Sequence, residues 1–213
     1  MTRAVLLLSG GIDSATALYL TQQRGEEVYS INMIYDDGFD AEAEAAKKVA
    51  AAARVKEHLT ILLPFFKDIE RRFHPPSSPE ITSAYVPARN IVFYGIGAAY
   101  AETFNADKIV FGSNADDAKE LPDARNDFIQ LMNGLILKGT RVGREGLSIE
   151  IVNPFIHQSK AEVLRLALEL NVPLQLTWSC YKTGKIPCGK CRGCIGRRNA
   201  FERVGVNDPL LSD

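Results

Sequence analysis

Two groups of residues in this 213-residue chain have the types and spacing to do chemistry, and they lie far apart along it. Cys180, Cys188, Cys191 and Cys194 are all the cysteines present, and they fall within fifteen residues as C-x7-C-x2-C-x2-C. Four thiolates on short Gly- and Pro-containing loops suit the tetrahedral preference of Zn²⁺, so the spacing predicts one structural zinc per chain. The competing account is a pair of disulfides in a secreted protein. Met1-Thr2-Arg3 runs straight into Ala4-Val5-Leu6-Leu7-Leu8, which is too short for a secretory apolar region, and a reducing, cytoplasmic compartment is expected. The other group is Ser9-Gly10-Gly11-Ile12-Asp13-Ser14, which follows that apolar run and opens a helix-like stretch. Two glycines let the backbone turn tightly with its N–H groups toward a ligand. Ser9 and Ser14 add hydroxyl donors, and a helix N-terminus adds its positive dipole end. This is an anion cradle without the lysine of a Walker loop. An ordinary strand–turn–helix with a Gly-Gly turn is the plain alternative.

Such groups need a scaffold. Apolar runs of strand length recur at residues 4–8, 28–33, 59–63, 108–112 and 149–152, rich in Val, Ile and Leu without clean alternation. Helix-like stretches at 14–23, 41–53, 84–104 and 160–170 lie between them. Strand alternating with helix predicts an α/β fold, a doubly wound parallel five-stranded sheet. After Asn171 the periodic pattern stops, so residues 1–171 are expected to form the α/β domain and 172–213 a small zinc-binding appendage. His74-Pro75-Pro76-Ser77-Ser78-Pro79 is expected to be an exposed loop or lid, because prolines remove donors and restrict their predecessors. Hydrophobic residues make up 46% of the chain, enough for a full core, and no run approaches the ~20 apolar residues that span a bilayer. A net charge of −1 gives no global pull toward nucleic acid or membrane. Locally, seven basic residues between Lys182 and Arg203 face one acid, Glu202. That stretch either neutralises the doubly negative zinc–tetrathiolate centre or offers a surface to phosphate or RNA. His58, His74 and His157 have no partner spacing and read as structural.

The Ser-Gly-Gly-Ile-Asp-Ser loop resembles the SGGxDS signature of the PP-loop ATP pyrophosphatases, which have an adenine nucleotide alpha hydrolase-like (HUP) fold. Further stretches resemble one branch of that superfamily, the 7-cyano-7-deazaguanine synthases: Tyr85-Val86-Pro87-Ala88-Arg89-Asn90, Gly112-x-Asn114, and Pro122-Asp123-x-Arg125. Later come Ser159-Lys160-Ala161-Glu162, Thr177-Trp178-Ser179-Cys180-Tyr181 and Cys188-Gly189-x-Cys191-x-x-Cys194, so the resemblance spans essentially the whole chain. It implies a ligase that uses ATP with Mg²⁺ and ammonia to turn 7-carboxy-7-deazaguanine into the nitrile, for queuosine or archaeosine. A structural zinc and a homodimer are also implied. Carried over to this chain, Leu8, Ser9, Gly10, Gly11, Ile12, Asp13, Ser14, Ala15, Thr16, Ala17 and Leu18 would hold ATP. Arg89 and Lys160 would stabilise charge on the α-phosphate beside Asp13. Asp117 or Asp123, with Asn114 and Arg125 nearby, would read the guanine-like edge. Trp178 would pack at the zinc appendage, beside the substrate in one arrangement.

The chain departs from the family pattern in three loops. It has Tyr35-Asp36-Asp37-Gly38 for Tyr-Gly-Gln, Leu121-Pro122-Asp123-Ala124-Arg125 for Tyr-Pro-Asp-Cys-Arg, and an additional acid in Asn114-Ala115-Asp116-Asp117. Two other readings therefore stand beside the nitrile-forming one. One is a relative that stops at the amide or uses another amine. The other is a zinc-containing tRNA-binding protein, disfavoured by the lack of aromatic residues among the basic positions.

Overall fold

Residues 3–8 alternate in the direction they face, and that alternation organises the molecule. In the computed structural model, which describes residues 2–35, 40–74, 85–182, 184 and 186–211, strand β1 (Arg3–Leu7) is the centre of the sheet. Ala4, Leu6 and Leu8 enter one apolar cluster, while Val5 and Leu7 enter another on the opposite face. Strands β2 (Glu27–Ile34), β3 (Glu57–Leu62), β4 (Lys108–Phe111) and β5 (Glu150–Val152) complete a five-stranded sheet in the order β3-β2-β1-β4-β5. Every pairing is parallel, as expected. Residues 36–38 and 75–79, read above as a family departure and a lid, lie outside the described residues.

Helices cover both faces. On one lie α1 (Ile12–Gln23), α2 (Asp40–Ala53), α8 (Lys160–Glu169) and α9 (Arg192–Val204). On the other lie α3 (Phe65–Arg72), α4 (Arg89–Phe104) and α6 (Asn126–Gly139). Two short helices, α5 (Ala115–Glu120) and α7 (Arg141–Arg144), fill connections. Helix α4 starts at Arg89, later than the expected residue 84, because Pro87 precedes Ala88, whose left-handed backbone (φ 56°) cannot continue a helix.

The described residues after Asn171 pack into the core of the sheet domain rather than apart from it. Val172, Leu174, Ala200 and Phe201 share one core cluster with Leu6, Leu8 and Leu164. The basic residue Arg197 is the reason α9 can bury a polar face. Its guanidinium reaches both Asp208 carboxylate oxygens at 2.6 and 2.8 Å, Thr177 Oγ1 at 2.7 Å and the carbonyls of Thr177 and Leu174. It also stacks 5.3 Å from the centre of the Phe201 ring. Removing one partner of such a pair strands the other charge in the interior. Arg197→Ala is therefore expected to cost ~3–5 kcal/mol in chemical denaturation. Arg197→Lys should recover only part, since an ammonium cannot reproduce the fork.

Candidate active site

The chain leaves β1 toward β2 on one side and returns to β4 on the other, so the carboxyl ends of β1 and β4 form a topological switch point, where open α/β sheets bind ligands. A cleft of ≈ 470 Å³ opens there, the size of a site for a nucleotide-sized molecule. Leu8, Ser9, Gly11, Ile12, Asp13 and Ser14 form its floor. The loop is held tightly. Gly10 has φ +83°, and a Cβ on it would lie 2.6 Å from Ala46 N and 2.7 Å from the Glu42 carbonyl oxygen. Across the switch point, a Cβ on Gly112 would lie 2.7 Å from the Asp13 carbonyl oxygen, so only glycine lets the end of β4 approach α1. Ser9 and Ser14 share a 3.0 Å hydroxyl contact, and Gly11 N–H donates to Ser9 Oγ at 3.3 Å. The result is a compact cradle of hydroxyls and amides at a helix N-terminus, suited to an oxyanion.

On the β5 side, charge is concentrated around Asp13. Its Oδ2 accepts from Lys160 Nζ at 2.8 Å and from Asn114 Nδ2 at 2.9 Å, while its Oδ1 is buried without a partner. Asn114 caps α5 with its own side chain and is in turn capped by Asp117, so its amide is fixed in direction. Lys160 opens α8, behind a capping box of Ser159 and Glu162. Burial works against its charge, but Asp13 and Asp117 outweigh that effect and hold its pKa above the ordinary value. Asp117 is pushed the other way, its carboxyl raised by burial and by repulsion from Asp13.

The opposite wall carries a second cation. Arg89, the first residue of α4, donates to Tyr35 Oη at 3.0 Å and lies over the Tyr35 and Phe93 rings. Glu42, in the first turn of α2, completes this wall. Burial raises its carboxyl to about 7 against the opposing field of Arg89. Asp123 sits just behind, accepting from Asn90 N–H at 3.3 Å, with its Oδ1 buried and unpartnered.

The third wall comes from the cysteine segment. The four Sγ atoms lie within 4.8 Å of one another, with Cys188–Cys194 at 4.0 Å and Cys180–Cys191 at 3.9 Å. Tetrahedral coordination at ~2.3 Å per Zn–S bond would separate the sulfurs by ~3.8 Å. All four cysteines are free, and backbone N–H groups of Lys182, Cys188, Cys191 and Cys194 donate to their sulfurs. The donor set therefore fits a single thiolate-bound metal ion. This cluster packs on Ala45 of α2 together with Trp178, whose indole N–H donates to the Cys180 carbonyl at 2.9 Å. Trp178 N–H also donates to the Gly10 carbonyl at 2.9 Å, which ties the cysteine segment to the Ser-Gly-Gly loop. Trp178, Ser179, Tyr181, Arg192 and Gly193 all line the cleft.

The residues expected to meet ATP or substrate fall into four groups. Leu8, Ser9, Gly11, Ile12, Asp13, Ser14, Arg89, Asp117 and Lys160 line the one cleft. Gly10, Asn114 and Asp123 sit directly behind it, holding its shape. Ala15, Thr16, Ala17 and Leu18 do not line it: they are fully buried in α1 and support the loop from below. Arg125 is exposed, and among the described residues its side chain donates to the Ala118 carbonyl. Glu42, Tyr181 and Arg192 were not singled out from sequence, although their positions at the ends of sheet connections on the ligand-binding edge were a usable signal. Three of the seven basic residues of the C-terminal stretch meet carboxylates rather than the cysteine cluster. Arg192 pairs with Glu120, Arg197 with Asp208, and Arg198 with Glu202. His58, read as structural, pairs its Nδ1 with Ser30 Oγ at 2.8 Å.

Comparison with known proteins adds to this geometry. A family model described as "Queuosine biosynthesis protein QueC" matches residues 3–205. The 7-cyano-7-deazaguanine synthase of Trichodesmium erythraeum is 41% identical over 226 residues, covering 98% of this chain and 100% of that protein. The same-named enzyme of Oceanobacillus iheyensis is 39% identical over 217 residues, covering 98% and 97%. Among solved structures, a 4-thiouridine synthetase–RNA complex with bound ATP superposes with a TM-score of 0.58 at 20% identity, covering 96% of this chain and 50% of that one. NH3-dependent NAD synthetase from Campylobacter jejuni gives 0.51 at 21% identity, covering 82% and 66%. At those identities the structural likeness speaks for the fold alone, and the family follows from sequence. Matched from β1 to the end of α9, this chain belongs to the QueC family of queuosine biosynthesis proteins.

Proposed function

We propose that this chain forms 7-cyano-7-deazaguanine from 7-carboxy-7-deazaguanine and ammonia, with ATP consumed to activate oxygen as a leaving group. The observation that carries this reading is the convergence of the Ser-Gly-Gly loop, Lys160 and Arg89 on one cleft at the switch point, in a chain of this family. Ser9, Gly11 and Ser14 would cradle the β- and γ-phosphates. A carboxylate oxygen of the substrate attacks the α-phosphorus and pyrophosphate leaves. Lys160 and Arg89 stabilise the charge that builds on the α-phosphate oxygens. Ammonia then displaces AMP to give the amide, whose oxygen is adenylated in turn. Loss of that AMP and the remaining N–H protons leaves C≡N. Asp13 aims Lys160, and its unpartnered Oδ1 is the oxygen that would face Mg²⁺ accompanying the nucleotide. Asp117, which lines the cleft, is the better placed of the two acids to read the guanine-like edge; Asp123 shapes the wall through Asn90.

Zn²⁺ would be held by Cys180, Cys188, Cys191 and Cys194 and would supply no reaction step, only a fixed wall. A homodimer is part of this reading. Leu131 and Leu135, 75% and 62% exposed on α6, mark the apolar surface that a second copy would cover. The ion-paired state of Arg192, Arg197 and Arg198 argues against direct binding of nucleic acid.

A second reading has its own support. Leu121 and Ala124, which stand where the family has Tyr and Cys, both line the cleft, so a product that stops at the amide is the alternative. Incubation with ATP, ammonium and 7-carboxy-7-deazaguanine, followed by mass spectrometry, separates the two. The expected product is the nitrile. Amide alone supports the alternative, and no AMP removes both.

A further inference from the structure

The cleft carries more acid than activation of a carboxylate requires, and the acids differ in their partners. Asp13 is held by Lys160 and Asn114, and Asp117 accepts from Asn114 N–H at 3.2 Å and lies 4.0 Å from Arg192. Glu70 is also engaged. Glu42 alone among the described acids lining the cleft has no hydrogen bond or ion pair. It is not there to hold α2 in place, since the contact of α2 with the Ser-Gly-Gly loop runs through the backbone of Glu42 and Ala46 and through Ala45. A carboxylate kept in a largely enclosed wall without a partner is costly unless a ligand meets it.

The proposed reaction needs such a group. Ammonia at neutral pH is mostly ammonium, which has no lone pair to attack with. We propose that Glu42 binds this ammonium ion in the cleft and takes its proton, releasing ammonia beside the adenylated carbonyl. This rests on the nitrile-forming reading of the same site. In the step, an N–H bond of NH₄⁺ breaks and its proton goes to a Glu42 oxygen. The freed lone pair forms the C–N bond, a second N–H proton passes to solvent, and the C–O bond to AMP breaks with its electron pair leaving on the phosphate oxygen. The groups around Glu42 suit a transfer of this kind. Arg89 on α4 opposes its protonation, while Tyr35 after β2 and Glu70 on α3 lie in the same electrostatic neighbourhood. Burial outweighs Arg89 and brings the carboxyl to about 7, so the base form and the acid form are both populated at neutral pH. A group that had only to read two N–H donors of a purine edge would be better served by a permanently ionised carboxylate.

The test uses Glu42→Gln in the full-length protein. Acid-dependent exchange of labelled pyrophosphate into ATP, which needs no ammonia, should stay within ~2-fold of wild type, while ammonium-dependent turnover at neutral pH falls by ~10²-fold. That gap should narrow as pH rises and free ammonia accumulates. Hydroxylamine, mostly neutral at pH 7, should restore acyl transfer as the hydroxamate. Folding has a separate readout. A carboxyl raised in the folded state contributes stability below its unfolded pKa and loses it as pH rises through about 7, so the Gln variant should gain in melting temperature over wild type between pH 5 and pH 8. A fall in pyrophosphate exchange with no rescue by hydroxylamine would make Glu42 a substrate-reading residue and overturn the assignment, as would unchanged ammonium-dependent turnover. Absence of exchange in the wild-type protein would instead remove the parent reading.

Discussion

Lys160→Ala is expected to lower turnover by ~10²–10³-fold, the range seen when one preorganised donor to a developing anion is removed. Three features make this effect large. Lys160 Nζ sits 2.8 Å from Asp13 at the mouth of the Ser-Gly-Gly loop, and its side chain is 25% exposed, so little water replaces it. Asp13 and Asp117 keep it charged despite burial. The loop itself carries no lysine. Removing the ammonium leaves the Asp13 carboxylate uncompensated where the proposed mechanism puts the α-phosphate, and repulsion replaces attraction. Asp13 keeps its Asn114 partner, so the melting temperature should fall far less than the rate. Steady-state kinetics should show the loss in kcat, with the KM for ATP changed several-fold at most. Unaltered turnover in a normally melting variant would take Lys160 out of the site.

The second large effect comes from the other wall. Chelation of the metal, or Cys191→Ser, is expected to abolish turnover, although no cysteine touches the reacting atoms in the proposed mechanism. Cys191 both contributes a thiolate and caps α9 by accepting from Cys194 N–H. The segment it anchors supplies Trp178, Ser179, Tyr181, Arg192 and Gly193 to the cleft, and Trp178 N–H holds the Gly10 carbonyl. Structural zinc contributes ~10–16 kcal/mol to small domains. Its loss should therefore release this wall while β1 to β5 and their helices stay folded. Limited proteolysis should cut between residues 178 and 195 only in the stripped protein, and metal analysis of the intact protein should give one zinc per chain. Full activity after complete stripping would contradict this role.

Much of this was legible in the sequence because the relevant signals are local. Continuous apolar runs between turn signals located all five strands, and the Ser-Gly-Gly turn announced its own geometry. What escaped depends on distant partners. Helix α9, Arg-Gly-Cys-Ile-Gly-Arg-Arg in its first half, has two glycines and little apolar periodicity. It is made a helix by the Cys191 cap, by the buried Arg197–Asp208 pair and by the cysteine cluster, none of which periodicity reports. Helix α6 was missed because Leu131 and Leu135 face outward, blurring the polar side that marks an amphipathic helix. Nothing local distinguishes Glu42 within an Ala- and Glu-rich helix, and only the fold of α2 over Gly10 brings it to the cleft. The cysteine segment and the Ser-Gly-Gly loop, read as separate ends of the chain, meet at the Trp178–Gly10 hydrogen bond.

The most direct test follows the oxygens of the substrate. 7-Carboxy-7-deazaguanine labelled with heavy oxygen in both carboxyl positions should be incubated with ATP and ammonium, and the AMP analysed by mass spectrometry. Activation of the carboxylate and then of the amide predicts one heavy oxygen in every AMP and an unlabelled nitrile product. Unlabelled AMP, with the heavy oxygen appearing in water or retained on the product, would contradict adenylation as the source of the leaving group.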